Sequence, residues 1–170
     1  MLEAQYYKHD EPNTLLTSGG LGTMGFSLPA AIGASFSNRD KDIWVIVGDG
    51  SIQMTITELA TAVQENTNIK IAIINNGYLG MVRQWQQLFY DSRYSETPIS
   101  SPDYVKLSEA YGMKGLRVKS RAEISDTMKE AQNIKGPVLI EFVVEQHDMV
   151  YPMVAAGADL DEMISRPVHD

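Results

Sequence analysis

The chain carries IWVIVGDGS over residues 43–51 and IKIAIINNGY over residues 69–78. Ile43–Val47 is an unbroken apolar run, Ile69–Ile74 is apolar apart from Lys70, and both end abruptly in Gly, Asp, Ser or Asn. A continuous run such as Ile43–Val47 predicts a strand buried on both faces of a parallel sheet, and Ile69–Ile74 predicts a second strand. Between them Thr55–Glu65 predicts a helix, with Thr55 as its cap and Glu58 three residues later in a capping-box pattern. A βαβ unit takes about 30 residues, so Gly48-Asp49-Gly50 and Asn75-Asn76 fall at the ends of two neighbouring strands.

Outside this unit the alternation continues. Phe26–Ser37 is a helix of small residues with Pro29 tolerated in its first turn. Gly80–Phe89, Asp103–Tyr111 and Ala122–Gln132 are further helices, and Leu116–Val118 and Val138–Val144 further strands. Residues 1–17 and Asp91–Ser101 are irregular, and signals are weak beyond His147. Strands alternating with helices predict an α/β fold: a doubly wound, mainly parallel sheet with helices on both faces and right-handed crossovers. The length suits one domain over residues 1–170. In such sheets ligands bind outside the carboxyl ends of the strands, at a switch point. Gly48–Ser51 and Asn75-Asn76 sit there.

A formal net charge of −8 argues against nucleic acid or an anionic membrane as the main partner, while leaving room for an anion neutralised locally by a metal and backbone amides. Cysteine is absent, which removes disulfides, thiolate zinc sites, iron–sulfur clusters and cysteine nucleophiles together. No apolar run reaches 18 residues and MLEAQYYKHD is too polar for a signal peptide, so a soluble, cytoplasmic protein is expected. His9, His147 and His169 show no metal spacing, and no GxSxG elbow supports a Ser-His-Asp triad.

Asp49 offers a carboxylate and Asn76 a neutral amide oxygen at adjacent strand ends. Magnesium wants oxygen ligands, typically one or two carboxylates plus phosphate and water. Gly50 and Ser51 permit close backbone approach before a helix whose first amides favour an anion. The set suits a magnesium diphosphate, although Gly, Asp, Ser and Asn also gather in ordinary tight turns.

This GDG…NN pattern resembles the cofactor motif of thiamine diphosphate enzymes. The resemblance implies that Asp49, Asn76 and the backbone carbonyl of Tyr78 ligate Mg2+. Gly48, Gly50, Ser51, Gly80 and Met81 would border the cofactor. TSGGLGTMGFSLPAAIGA is similar to the segment that packs against the cofactor's aminopyrimidine, with the Gly22 carbonyl accepting from its amine and Met24 wedged under the bend. The same loop, Gly20–Gly25, also satisfies GxGxxG. A dinucleotide fingerprint, however, needs a buried strand just before it, and NTLLTSG is a poor one. A nicotinamide or flavin site therefore stands as the alternative there.

Residues 80–97, GMVRQWQQLFYDSRYSET, resemble acetohydroxyacid (acetolactate) synthase catalytic subunits. AQYYKHDEPNTLLTSGG and GPVLIEFVVEQHDMVYPMV are similar to the same family, so only Ser101–Lys135 is undistinctive. The resemblance implies condensation of two pyruvates, or of pyruvate and 2-ketobutyrate, in branched-chain amino-acid biosynthesis. Trp85 would line the substrate channel with Met81 nearby; without the resemblance, Trp85, Leu88 and Phe89 read as an apolar packing stripe. A homodimer or tetramer and a small regulatory subunit are implied as partners. The glutamate that activates the cofactor, and a central domain that holds FAD, are expected outside this chain, as in an excised domain or separately encoded subunit. Alone, the chain is expected to be inactive. Another thiamine-dependent 2-keto acid decarboxylase, or an inactive paralogue kept as an assembly surface, are the competing readings.

Overall fold

The computed structural model describes residues 1–167; His169 lies outside them. In chain order the elements are α1 (Leu2–Tyr6), α2 (Ser27–Ser37), β1 (Ile43–Gly48), α3 (Asp49–Gln53), α4 (Leu59–Gln64), β2 (Ile69–Asn75), α5 (Gly80–Phe89), α6 (Tyr104–Ala110), β3 (Lys114–Val118), α7 (Ile124–Asn133) and β4 (Val138–Val143). The four strands form one fully parallel sheet in the order β1-β2-β4-β3. On one face Val45, Val47, Ile69, Ile71, Ile73 and Leu139 pack under α2, α3, α4 and α6; on the other, Val118, Val138 and Ile140 pack under α7. Helices on both faces of a parallel sheet are the expected architecture.

The two-sided burial expected of Ile43–Val47 fails in β1, whereas β2 is buried throughout Ile69–Ile73. Ile46 is 44 % exposed and Ile74, near the end of β2, is 38 % exposed. β1 is the edge of the described sheet, and α7 covers only the far side of that face. The order reverses between β2 and β4, whereas Asp49 and Asn76 follow the consecutive neighbours β1 and β2. The motif thus lies at the carboxyl ends, with Asn76 beside the reversal and Asp49 one strand away from it.

The crossover between β1 and β2 also starts earlier than its sequence suggests. Helix α3 begins at Asp49 itself, and Thr55–Glu65 divides into a 3-10 turn, Ile56–Glu58, and α4. Thr55 makes no side-chain cap; its hydroxyl donates instead to the Gly25 carbonyl at 2.9 Å. That long-range bond outweighs the local one because it ties a loop onto the crossover. Lys70, fully buried at the start of β2, donates to the Ile134 and Gly136 carbonyls at 2.6 and 2.9 Å and to Asn68 Oδ1 at 2.9 Å. Burial lowers its pKa, and these three acceptors offset the cost.

Gly115 in β3 lets α6 lie directly on the sheet. A Cβ there would stand 2.9 Å from Val105 Cα and carbonyl oxygen, both backbone atoms. Gly115→Ala is therefore expected to cost about 1–3 kcal/mol, as overpacking does. Thermal unfolding by circular dichroism should register this as a midpoint several degrees lower. An unchanged midpoint would mean that α6 retreats freely.

Candidate functional site

The carboxyl ends of β1 and β2 bring Asp49 beside the Asn75–Tyr78 loop. Asp49 Oδ2 accepts from the Gly77 amide at 3.0 Å and from the Ser101 hydroxyl at 3.4 Å. The Tyr104 hydroxyl, on α6, donates to the Asp49 carbonyl at 3.0 Å. Gly77 takes φ +70°, the left-handed turn that brings its amide back to the carboxylate. Asn76 Oδ1 accepts from the Tyr78 amide at 3.1 Å, an Asx turn. Gly80 keeps space for this side chain, since a Cβ there would meet Asn76 Nδ2 at 3.1 Å.

Asp49 is only 2 % exposed, and burial raises its pKa against the opposing pull of the Gly77, Asp49 and Gly50 amides and the Ser101 hydroxyl. Among the described residues no Lys, Arg or His lies within ion-pair distance of it. An ionised carboxylate buried without a cation is costly. The loop whose Gly77 amide it accepts from also carries the Asn76 side-chain amide and the Tyr78 carbonyl, neutral oxygen donors of the kind that a hard divalent ion takes alongside one carboxylate. No cluster of three acidic, His or Cys side chains able to hold a metal occurs among the described residues. The residues present thus fit a magnesium ion that draws further oxygens from a phosphate.

The loop preceding α2 closes over this end of the sheet. The Gly25 amide donates to Ser51 Oγ at 2.9 Å, so Ser51 holds the loop as well as standing in the cradle. Met24 Cε lies 3.6 Å from where a Gly50 Cβ would stand, with Leu79 and Ile99 methyl groups at 3.0 Å. Gly22, at φ +62°, occupies the exposed tip. No strand precedes Gly20–Gly25 in residues 14–19, so the dinucleotide fingerprint lacks its required context.

Met81 and Trp85, four apart on α5, share a helix face. That helix is inside out: Arg83 and Gln84 are buried while Val82, Trp85 and Phe89 are 50, 42 and 41 % exposed. The apolar stripe is thus left partly uncovered among the described residues, with Trp85 and Phe89 in edge contact at a centroid distance of 5.7 Å. Trp85, Val82, Gln86, Tyr90 and Arg93 line an open depression of about 540 Å³. Gln84 binds the Val150 amide and carbonyl at 2.7 and 2.9 Å, docking the C-terminal segment onto α5. The Arg83 guanidinium stacks between the Tyr78 and Tyr94 rings at 5.3 and 5.0 Å.

A family model described as thiamine pyrophosphate enzyme, C-terminal TPP binding domain, matches residues 1–142. The chain belongs to this family. The TPP-binding domain is 48 % identical to an acetolactate synthase of Mycobacterium leprae, aligned over all of this chain and 29 % of that protein. It is 52 % identical to the mitochondrial acetolactate synthase catalytic subunit of Saccharomyces cerevisiae, over 97 % of this chain and 24 % of that one. The chain thus spans about a quarter of the length of these relatives. Among solved structures, a thiamine diphosphate-dependent 4-hydroxybenzoylformate decarboxylase of Rhodococcus jostii matches with a TM-score of 0.68 and 32 % identity, covering 73 % of this chain and 24 % of that one. No helix of the TPP-binding domain, among the described residues, is long and apolar enough to cross a membrane.

Several residues that build the site carried no signal in the sequence reading. Ser101 and Tyr104 reach Asp49 from a stretch with no distinctive motif, and Asn75 was only the silent half of a pair. Asp103 was the one available hint. It sits just after Pro102, and its carboxylate accepts from the Val105 and Lys106 amides as the cap that starts α6 beneath Asp49.

Proposed function

We propose that residues 1–170 are the cofactor-binding domain of an acetolactate synthase that condenses two pyruvates, or pyruvate with 2-ketobutyrate, to a 2-acetohydroxy acid with loss of CO2. The observation that carries the cation half of this reading is Asp49, a buried carboxylate with no cationic partner within the described residues. Asp49, Asn76 and the Tyr78 carbonyl would hold Mg2+. Gly48, Gly50 and Ser51 would cradle the diphosphate, and Gly22 and Met24 would support the pyrimidine end. Gly80 and Met81 complete the wall beside Asn76. When bound, thiamine diphosphate supplies the electron sink for decarboxylation; the residues here bind, orient and keep water from it.

The identities of 48 and 52 % to proteins named acetolactate synthase support the synthase over other members of the family. The exposed α5 face supports assembly, because an apolar surface of this kind calls for cover. We place that cover in a homodimer or tetramer, with a small regulatory subunit as a further partner and FAD, where present, held outside these residues. Biosynthesis of branched-chain amino acids in the cytoplasm fits a chain without cysteine. The activating glutamate is assigned to another segment or subunit.

The Rhodococcus structure favours one second reading, a simple 2-keto acid decarboxylase. Product analysis of the complete enzyme with pyruvate separates them: acetolactate is expected, and acetaldehyde alone would make it a decarboxylase. In the synthase, Trp85→Leu is expected to change the preference between 2-ketobutyrate and pyruvate about tenfold, the scale of one pocket contact. A competition assay that returns an unaltered product ratio would remove Trp85 from the channel.

A further inference from the structure

Glu141, buried in the sheet, pairs with the exposed Arg117 in a contact that the proposed chemistry does not use. Glu141 is 4 % exposed in β4, and Arg117 Nε donates to its Oε2 at 2.6 Å from the neighbouring position of β3. An ion pair with one partner at the surface is weak as a source of stability. What distinguishes this pair is where its remaining bonds go.

The other oxygen, Glu141 Oε1, accepts from Asn75 Nδ2 at 2.7 Å. With its amino group so engaged, the Asn75 amide cannot turn over without setting its oxygen against a carboxylate. Asn75 Oδ1 is thereby held on the Gly77 amide, at 3.1 Å. That same N–H is shared with Asp49 Oδ2 at 3.0 Å. An Asp49 carboxylate that turned toward a cation would leave the Gly77 amide still satisfied by Asn75, and the loop carrying Asn76 and Tyr78 would keep its shape. On the other side Arg117 donates through its second nitrogen to Asp103 Oδ1 at 2.7 Å. Asp103 caps α6, whose first residue, Tyr104, donates to the Asp49 carbonyl. The contacts therefore close a ring that leaves Asp49 through Gly77, Asn75, Glu141, Arg117 and Asp103 and returns to it through Tyr104.

We infer that Glu141, held by Arg117, is a positioning residue for the cation loop, acting through Asn75 to fix the Gly77 amide and with it the Asn76 and Tyr78 oxygens. This rests on the reading of Asp49, Asn76 and Tyr78 as a magnesium site. Groups bonded directly to a metal's ligands typically matter about 10–100-fold in its affinity; Glu141, which reaches the loop through Asn75, is expected at the lower end of that range.

The test is calorimetric titration of Mg2+ into the full chain at saturating thiamine diphosphate, with melting of the metal-free protein alongside. Glu141→Gln is expected to raise the Mg2+ Kd about tenfold while the metal-free midpoint stays within a few degrees. Asn75→Ala is expected to do the same, and the double variant is expected to be no weaker than Asn75→Ala alone, because Glu141 acts through Asn75. If Glu141→Gln fails to fold, Asn75→Ala reads the same contact from its other side. An unaltered Mg2+ Kd in Asn75→Ala, or full additivity in the double variant, overturns the inference while leaving the magnesium site standing. Absence of Mg2+ binding by the unsubstituted chain overturns the site and the inference together.

Discussion

Asp49→Ala is expected to remove magnesium-dependent binding of thiamine diphosphate, raising the dissociation constant by about 10²–10⁴. The size follows from the cost of breaking one side of a buried charge pair, about 3–5 kcal/mol, at 1.4 kcal/mol per tenfold change. Asp49 is the only carboxylate proposed for the cation, and the other oxygens offered there are neutral. Titration calorimetry with and without Mg2+ reads the effect; wild-type affinity in the variant would exclude Asp49 as a ligand.

The same residue has an opposite effect on the metal-free fold. Burial raises the Asp49 pKa above its ordinary 3.8. A group with a raised pKa lends stability that is complete below its unfolded pKa and is lost as pH rises through the folded one. At neutral pH the ionised, unpaired carboxylate is therefore a burden on the metal-free protein. Asp49→Asn, which keeps an acceptor for the Gly77 amide, is expected to melt a few degrees higher than wild type at pH 7. The difference should vanish in acid. A lower melting point at pH 7 would show that the carboxylate is already paired without a metal.

Gly25→Val has the largest effect expected on the fold near the site. Gly25 sits at φ +86°, where a β-branched residue is strained by about 1–3 kcal/mol. A Cβ would also press on Thr55 Cγ2 at 2.9 Å and Met54 Cβ at 3.0 Å, adding about 1–3 kcal/mol of overpacking. The residue's amide and carbonyl are both spent on the crossover, to Ser51 and from Thr55. The substitution therefore either lowers the thermal midpoint by roughly 5–15 °C or releases the Ser18–Met24 loop. Hydrogen exchange at the Gly25 amide distinguishes the two. An unshifted midpoint with protection retained would mean that the loop is not anchored as described.

Much of the fold is legible in the sequence because the residues that signal it are consecutive. The strand signals over Ile43–Val47 and Ile69–Ile74 are ended by Gly48-Asp49 and Asn75-Asn76, so strand, strand end and ligand set occupy one stretch of chain each. The ring around Asp49 was not legible, because Glu141, Arg117 and Asn75 meet only through the β2-β4-β3 order, where sequence neighbours are not spatial ones. Helix α1 escaped for a similar reason. Its five residues are supported by Tyr6 and Gln5 bonding to the Tyr151 and Pro152 carbonyls, nearly a whole chain away. Helix α5 shows the limit of apolar patterning: its periodicity identified the helix, yet the side it buries is the polar one, because Gln84 finds backbone partners at Val150 and Arg83 finds two tyrosine rings.

The position of the cation is the central point, and a crystal of the chain grown with Mn2+ and thiamine diphosphate tests it most directly. The anomalous map is expected to place one peak at the carboxyl ends of β1 and β2, with the Asp49 carboxylate, Asn76 Oδ1 and the Tyr78 carbonyl near the ~2.1 Å of a hard octahedral ion. A peak coordinated by other residues, or cofactor bound with no metal at Asp49, would contradict it.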